Sequence, residues 1–371
     1  MVDKPHWREL FSEVVTSGLC TGCAACVVAC PHDVLDYDDQ DGHYKPWHLD
    51  IDGGREDCTH GIKGCTMCTR ACPRFRSWEA EIDVHRVGRE RTEDEVYGVG
   101  DVVLARALDP EVAGTGQDGG VVSAILLYAL EHDLIDAALV SATGEGTWRA
   151  EPAVARTRDE VLASAGSRYT YSANLLAYPE AVAAGAERVA LVGMGCMASA
   201  PGAMQVRKAG KIARRLSLTI GLLCSKTFDD RIFDELFEAR YGLVREDIVK
   251  MNIKGVFQIW TRDGAMHEVP LKEAHAFTRE GCQQCPDFAA EHADISAGGI
   301  GAFGDWTLLI VRTELGRMLL QGLIDGGRIE VRPGDDDPGA VALLHKLAQV
   351  SRRRWPESAD PKPRLIPLRR P

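Results

Sequence analysis

The feature that most constrains this chain is a run of four cysteines within eleven positions near its start. Cys20, Cys23, Cys26 and Cys30 are followed at once by Pro31, in the spacing C-x2-C-x2-C-x3-C-P. Bacterial ferredoxins hold iron–sulfur clusters with this spacing, because thiolates that are close in sequence can surround one cubane. The run therefore predicts a [4Fe–4S] site.

A second run has almost the same spacing. It reads C-x6-C-x2-C-x3-C-P, and only its first gap is longer. In two-cluster ferredoxins the fourth cysteine of each run binds the other cluster. The two expected ligand sets are Cys20, Cys23, Cys26 and Cys72, and Cys58, Cys65, Cys68 and Cys30. Structural zinc is the alternative, but zinc normally takes two close cysteines and two distant ones.

The chain has twelve cysteines, and the last four are Cys196, Cys224, Cys282 and Cys285. Disulfides are disfavoured, because no signal peptide is visible and the cytosol keeps thiols reduced. Cys196 and Cys224 follow predicted strands, and ligands collect at strand ends of open α/β sheets. From spacing alone, a third cluster, a zinc site and ordinary buried cysteines all remain open.

Charge and composition exclude several classes of protein. A formal net charge of −12 and a pI near 5.4 disfavour nucleic-acid binding, which requires a basic face. The longest uncharged stretches are rich in glycine, interrupted by proline and barely long enough to cross a bilayer. We therefore expect a cytoplasmic protein with no membrane span and no nucleic-acid partner.

The pattern of apolar residues suggests four regions. Residues 1–80 are predicted as an α+β, ferredoxin-like domain with two clusters, and the charged residues 81–96 as a solvated linker. From 97 to 335, predicted strands alternate with helices, which indicates an α/β domain with a largely parallel sheet. A hairpin is expected around Asp263-Gly264. Residues 336–371 are predicted as a helix followed by a basic, Pro/Arg-rich tail.

Three glycine-containing loops of the α/β region are candidate ligand sites. "GTGQDGG" directly precedes a predicted helix, whose first N–H groups can hold a phosphate. "SAGSRY" offers a serine and an arginine suited to a pyrophosphate, and the glycines of residues 293–307 allow close approach of a flat ligand. Each loop also has a structural interpretation, such as an ordinary helix start or stop.

Several of these segments occur together, and in the same order, in one family. They are the two cysteine runs, "QDGGVVSAILLYALEHDLIDAALV", "SAGSRY", "RVALVGMGCM" and "REGCQQCPDFAAEHADISAGGIGAFGDWTLLIVRTELG". From about residue 18 to about 325 the chain resembles the coenzyme F420-reducing hydrogenase and dehydrogenase beta-subunit family. That family also includes 7-hydroxymethyl chlorophyll a reductase and a divinyl chlorophyllide reductase.

The resemblance implies an FAD-containing protein whose α/β domain binds the flavin beside a third [4Fe–4S] cluster. By position, it assigns that cluster to Cys196, Cys224, Cys282 and Cys285. The residues in segments that match the family's flavin site are Gly119, Gly120, Ser123, Ser167, Arg168, Asn252 and Lys254. No catalytic side chain is assigned, because hydride transfer takes place at the flavin itself.

The favoured function is electron transfer between coenzyme F420, as a hydride through FAD, and clusters connected to a hydrogenase, dehydrogenase or ferredoxin partner. A ferredoxin-dependent reductase of an organic substrate such as a tetrapyrrole is the alternative, as is an electron-wiring subunit with no substrate of its own. A polyglutamate tail on the coenzyme would require a basic groove. The candidates, against a solvated helix face, are Arg207, Lys208, Lys211, Arg214 and Arg215.

Overall fold

The computed structural model describes residues 4–39, 44–50, 58–76, 79–144, 148–301 and 303–355. Its strands are β1 Leu35–Asp38, β2 Lys45–His48, β3 Asp101–Ala107, β4 Ala137–Thr143, β5 Ala150–Ala155, β6 Val189–Met194, β7 Leu216–Leu222, β8 Ile248–Ile253, β9 Val256–Thr261, β10 Met266–Pro270, β11 Ile295–Gly298, β12 Thr307–Val311 and β13 Ile329–Pro333.

The described α-helices are short in the first 80 residues and longer around the central sheet. They are α1 Trp7–Leu10, α2 Ala25–Val28, α3 Thr59–Ile62, α4 Met67–Ala71, α5 Glu79–Val87, α6 Pro110–Thr115, α7 Val121–Glu131, α8 Arg158–Ala163, α9 Tyr178–Ala183, α10 Gly195–Val206, α11 Ile212–Arg215, α12 Ala239–Tyr241, α13 Leu271–Ala274, α14 Glu280–Gln283, α15 Glu314–Asp325 and α16 Pro338–Arg352. No described helix is long and apolar enough to cross a bilayer.

The described residues form a central sheet in the strand order β13-β3-β12-β11-β7-β6-β4-β5. Only the pairs β11–β7, β7–β6 and β6–β4 are parallel, and the four others are antiparallel. The prediction of a largely parallel sheet is therefore wrong, and the sheet is mixed. Parallel neighbours need a crossover of about a dozen residues or more, and fewer residues separate β4 from β5 and β11 from β12 along the chain. β3 enters between β12 and β13 and is antiparallel to both.

Strands β8, β9 and β10 form a separate, smaller sheet in the order β10-β9-β8. β9 and β10 are antiparallel and form the hairpin predicted around Asp263-Gly264. Gly264 has a φ of 84°, which a non-glycine residue adopts only with strain. The predicted helix before this sheet is present as a π-helix over Phe233–Glu238 followed by α12. Its apolar side chains pack on the inner face of the small sheet.

The apolar core of the ferredoxin-type region is continuous with the α/β region. Its helices α1 and α2 and the hairpin β1–β2 bury Trp7, which packs in one cluster with Ala203 of α10 and Trp355 after α16. A second apolar cluster contains Cys23 and Ala24 together with Met197. The first 80 residues are therefore packed into the α/β region by burial of apolar side chains.

The segment predicted as a solvated linker is instead partly helical and partly buried. It forms α5, and the charged side chains of Glu79, Asp83 and Arg91 are buried. Arg91 forms a bidentate pair with Asp83, with N···O distances of 2.6 and 2.7 Å, and also contacts Glu291. The prediction failed because alternating charges look alike whether they face water or one another. The predicted C-terminal helix is α16, while the tail predicted after it lies beyond the described residues.

Candidate redox site

The twelve cysteines form three groups in space, with one cysteine exchanged between the two N-terminal runs. We call them the first quartet (Cys20, Cys23, Cys26, Cys72), the second quartet (Cys30, Cys58, Cys65, Cys68) and the third quartet (Cys196, Cys224, Cys282, Cys285). In the first quartet, burial raises the pKa of Cys20, Cys23 and Cys26, and a charge on the nearby Cys72 would raise each of these pKa values further. All four thiols of the second quartet line one cavity. This is the grouping that the crossed ferredoxin pattern predicts.

The loop of the first quartet turns tightly around its thiols. Gly22 and Ala24 have φ values of 74° and 63°, and a Cβ at Gly22 would meet the Tyr44 carbonyl oxygen at 2.4 Å. The turn places Cys26 in α2, while Cys72 directly follows α4. Burial raises the pKa of the Cys20 thiol to about 11, since a thiolate loses its solvation there. Such thiols ionise only beside strong positive charge, which bound iron supplies.

The second quartet accommodates the unusually long gap in its run. Cys58 precedes α3, and Gly64, with a φ of 99°, reverses the chain directly after it. The amide of Cys65 then donates to the His60 carbonyl oxygen at 3.0 Å, which brings Cys65 back towards Cys58. The extra residues therefore form one helical turn at the edge of the cavity and do not displace the thiols.

The third quartet gathers thiols from three separate parts of the chain. Cys196 lies in the first turn of α10 after β6, and Cys224 follows β7. Cys282 lies in α14 and Cys285 just after it. All four line one cavity. The loop after Cys285 approaches α10 closely, because a Cβ at Gly195 would lie 2.4 Å from the Asp287 carboxyl carbon.

Polar groups surround the sulfurs of the third quartet. Thr227 places its amide nitrogen 3.4 Å and its hydroxyl oxygen 3.5 Å from the Cys282 Sγ. Arg74 of the ferredoxin-type region donates to the Cys285 Sγ at 3.6 Å, and the Tyr171 hydroxyl lies 3.8 Å from the Cys196 Sγ. Sequence reasoning missed these groups. The only local signal was that Arg74 follows the second C-P pair.

The three quartets follow one another in space. Cys196 is near enough to Cys23 that a charge on it would raise the pKa of the Cys23 thiol, so the third quartet neighbours the first. In the same way, a charge on Cys68 would raise the pKa of the Cys26 thiol, so the first quartet neighbours the second. Within the described ranges, no three His, Cys, Asp or Glu side chains converge on a single ion position. The thiols of the second quartet, and likewise those of the third, instead line a cavity.

The loops predicted to bind flavin also come together. Gln117 connects them, because its amide group accepts from the Ser167 N–H at 3.1 Å and donates to the Met251 carbonyl oxygen at 3.2 Å. The Tyr169 hydroxyl donates to Asn252 at 3.2 Å. Burial raises the pKa of Asp118, next to Gly119, and the positive charge of Lys254 opposes that shift. The glycine-rich loop that follows β11 ends at Thr307, whose hydroxyl donates to the Asp118 carbonyl oxygen. This loop therefore lies beside the others.

Three of the predicted flavin residues have clear structural roles. A Cβ at Gly120 would meet the Val112 carbonyl oxygen at 2.3 Å, and one at Gly119 would meet the Asp305 carbonyl oxygen at 2.9 Å. The Arg168 guanidinium donates to the carbonyl oxygens at the end of α8, at 2.9 to 3.3 Å. Burial alone lowers the pKa of Arg168 to about 10. Ser123 is buried in α7.

Two of the basic residues proposed for a coenzyme tail contact other groups of the protein. Arg207 donates to the carbonyl oxygens of Thr69, Cys72 and Phe75, so it supports the ferredoxin-type region. Arg215 pairs with Glu187 at 2.5 Å. The groove prediction is wrong for these two residues, since helical spacing does not reveal which neighbours a long side chain meets.

Three family models match the chain. The model described as "Coenzyme F420 hydrogenase/dehydrogenase, beta subunit N-term" matches residues 102–178. The corresponding C-terminus model matches residues 186–337. The model described as "4Fe-4S dicluster domain" matches residues 19–75. These ranges contain all three quartets and confirm the resemblance found in the sequence.

Individual relatives agree. Coenzyme F420 hydrogenase subunit beta of Methanothermobacter thermautotrophicus is 34% identical over 263 residues, which cover 68% of this chain and 92% of that protein. One subunit of the F(420)H(2) dehydrogenase of Methanosarcina mazei is 30% identical, over 92% of both chains. A chain of the F420-reducing [NiFe] hydrogenase complex from Methanosarcina barkeri matches with a TM-score of 0.68 and 30% identity, over 71% of this chain and 92% of that one. This chain therefore belongs to the coenzyme F420 hydrogenase/dehydrogenase beta-subunit family and carries a 4Fe–4S dicluster domain.

Proposed function

We propose that this chain transfers electrons between the hydride of coenzyme F420 and a redox partner, through FAD and three [4Fe–4S] clusters. The observation that carries the proposal is the spatial order of flavin loops, third quartet, first quartet and second quartet. Tyr169 supports the first step of this order, from the flavin loops to the third quartet. It lies near enough to both Asp118 and Cys224 that a charge on either raises the pKa of its hydroxyl. FAD exchanges a hydride or single electrons and clusters exchange single electrons, so this set of groups joins the two kinds of transfer.

The three quartets are the proposed cluster ligands. Each consists of cysteine thiols alone, the donor set that favours iron–sulfur clusters. Burial raises the pKa of Cys196 to about 12, so this thiol ionises only with a strong positive charge beside it. The contacts that Thr227, Arg74 and Tyr171 make to sulfur are of the kind that tunes cluster potentials.

The proposed flavin site is the meeting point of the loops around Gly119, Ser167 and Asn252. The start of α7 would face the negatively charged part of FAD with its free backbone N–H groups. The left-handed glycines at residues 119 and 120 keep that helix start close to its neighbours. Lys254 adds a positive charge beside Asp118 at the same place. Because Arg168 holds the end of α8, we assign it the positioning of this loop.

The second quartet is the proposed exit towards the partner. It is at the far end of the order, and Cys30, Cys65 and Cys68 are partly exposed. The names of the two relatives describe a hydrogenase subunit and a dehydrogenase subunit. By this likeness, the partner is a hydrogenase, a dehydrogenase or a ferredoxin that accepts single electrons at this end.

The experiment is anaerobic purification, followed by measurement of iron, zinc and flavin per chain and addition of reduced F420. We expect about twelve irons, four for each quartet, and one FAD. The visible absorption of both flavin and clusters should bleach. Full cofactor content with no response to F420 would favour a ferredoxin-driven reductase of another substrate. About eight irons with zinc would contradict the third cluster, and a flavin-free chain that still passes electrons would be a wiring subunit.

Two matched cysteine variants locate the path. Cys196→Ser should remove about four irons and leave a flavin that F420 bleaches without reducing the remaining clusters. Cys65→Ser should also remove about four irons, but reduction of the other clusters should persist. Equal behaviour of the two variants would contradict the proposed order.

A further inference from the structure

Arg279 is a buried cation at the contact between the two regions of the chain. It is 5% exposed and directly precedes α14, the helix that carries Cys282. Its Nη2 donates to the Thr21 carbonyl oxygen at 2.9 Å, within the loop of the first quartet. Its Nη1 donates to the Thr227 hydroxyl at 3.4 Å, the same residue that contacts the Cys282 sulfur. One guanidinium therefore joins the first and third quartets.

Two tyrosines hold this guanidinium in place. Its central carbon lies 3.4 Å from the centre of the Tyr171 ring and 4.6 Å from that of Tyr44. Tyr171 also contacts the Cys196 sulfur. Arginine suits this position because its planar group stacks on aromatic rings and keeps its charge when buried.

The neighbours of Arg279 that could carry negative charge are cysteine thiols and tyrosine hydroxyls, and burial raises the pKa of Cys196, Tyr37 and Tyr171. Burial disfavours the charged form of Arg279, but Cys282, Tyr171, Tyr37 and Cys196 outweigh that effect and hold its pKa above the usual value. Its Nε is buried and makes no hydrogen bond with any group in the described part of the chain. The side chain also lines the cavity of the third quartet. A buried cation with such neighbours is suited to an anionic group in that cavity.

Arg74 is a second cation on this contact, but its environment differs. It donates to the Cys285 sulfur, and the charges of Asp287 and Cys285 both act on it. Part of its charge is therefore balanced by a carboxylate. Arg279 is the better test of an electrostatic role, because the changed charge would act mainly on the clusters.

We propose that Arg279 is a positioning residue shared by the two inner clusters, which stabilises their reduced states and holds the first quartet against the third. The inference rests on the proposed function, since it requires both clusters. With clusters bound by these quartets, the third-quartet cluster would take one electron from the flavin side and pass it to the first-quartet cluster. The permanent charge of Arg279 would offset the added negative charge, so the transfer would need no proton. The contacts of Arg279 involve the loops of the first and third quartets and not the second, so the second-quartet cluster would serve as an internal reference.

The test is an anaerobic redox titration of the holoprotein, followed by electron paramagnetic resonance. Arg279→Gln should lower the potentials of both inner clusters by at least the equivalent of a tenfold change in the reduction equilibrium, about 59 mV for one electron. The potential of the second-quartet cluster, identified by its loss in Cys65→Ser, should not move. Arg279→Lys should recover much of the shift, because it keeps the positive charge.

A matched control is Arg245→Gln, which also removes a stacked arginine. Arg245 lies 4.1 Å over Phe233 and pairs with Asp230, so its loss should leave all three potentials unchanged. Should Arg279→Gln lose iron, the loss must be confined to the inner clusters and recovered in Arg279→Lys. Unchanged potentials at full iron content would overturn the inference, as would iron loss that includes the outer cluster and is not recovered. Incomplete iron in the wild type would instead contradict the proposed function.

Discussion

The buried charges that join α5, the loop after Cys285 and α16 give a prediction whose size follows from the structure. Arg352 of α16 donates to both oxygens of Glu79 at 2.8 and 2.9 Å and to Glu291 at 2.8 Å. All three side chains are buried. Arg352→Met keeps the length of the side chain and removes its charge, so it leaves two buried carboxylates with fewer partners.

Removing one partner of a buried ion pair costs about 3–5 kcal/mol. Arg91 still contacts both Glu79 and Glu291 in the variant, so we expect the lower end, about 3 kcal/mol. The entropy of unfolding is about 2.1 cal/mol/K per residue, or about 0.8 kcal/mol/K for 371 residues that unfold together. The melting temperature should therefore fall by about 4 °C.

The loss should also depend on pH. Burial raises the pKa of Glu291 in the wild type, against the attraction of Arg91 and Arg352. Without Arg352 the pKa rises further, so the folded variant keeps a proton that the unfolded chain releases above pH of about 4.3. Stability then falls as the pH rises through this window. The difference in stability between the variant and the wild type should therefore grow as the pH rises.

The assay is anaerobic thermal unfolding followed by far-ultraviolet circular dichroism, with iron content matched between samples. Arg317→Met is the control, because Arg317 pairs on the surface of α15 with Glu314, whose side chain is 90% exposed. Loss of such a pair costs at most about 1 kcal/mol, so the control should shift by about 1 °C or less. A shift in Arg352→Met no larger than in the control would refute the reasoning.

Three further changes test other parts of the site. Cys72→Ser should abolish the magnetic signal of the cluster built on Cys20 and leave that of the second quartet, as seen by electron paramagnetic resonance. Gly281→Ala places a Cβ 2.7 Å from the Cys20 carbonyl oxygen, so it should separate the first and third quartets and slow reduction of the first-quartet cluster in stopped-flow traces at unchanged iron content. Arg168→Gln removes the bonds at the end of α8, so it should lower the FAD content per chain while the iron content stays constant.

The spacing of the cysteines was sufficient to predict two groups of four in the first 80 residues, including the exchange of Cys30 and Cys72. This succeeded because the members of a run are close in sequence, and short loops allow few arrangements around a cluster. The resemblance to a family supplied the third quartet, which spans Cys196 to Cys285. Spacing alone left that group open between a cluster, zinc and buried thiols.

The tertiary structure decided those features that depend on contacts between distant parts of the chain. Two of the four antiparallel pairs of the sheet arise because β3, from the N-terminal side, pairs between β12 and β13, and no local pattern specifies such partners. The burial of α5 depends on Arg352, more than 260 residues further along the chain. Likewise Arg279 meets Thr21 only when the two regions dock. Sequence alone determined the chemistry of the proposed ligands, because that depends on residue type and local spacing. The fold alone determined which charges surround them, because those charges come from distant parts of the chain.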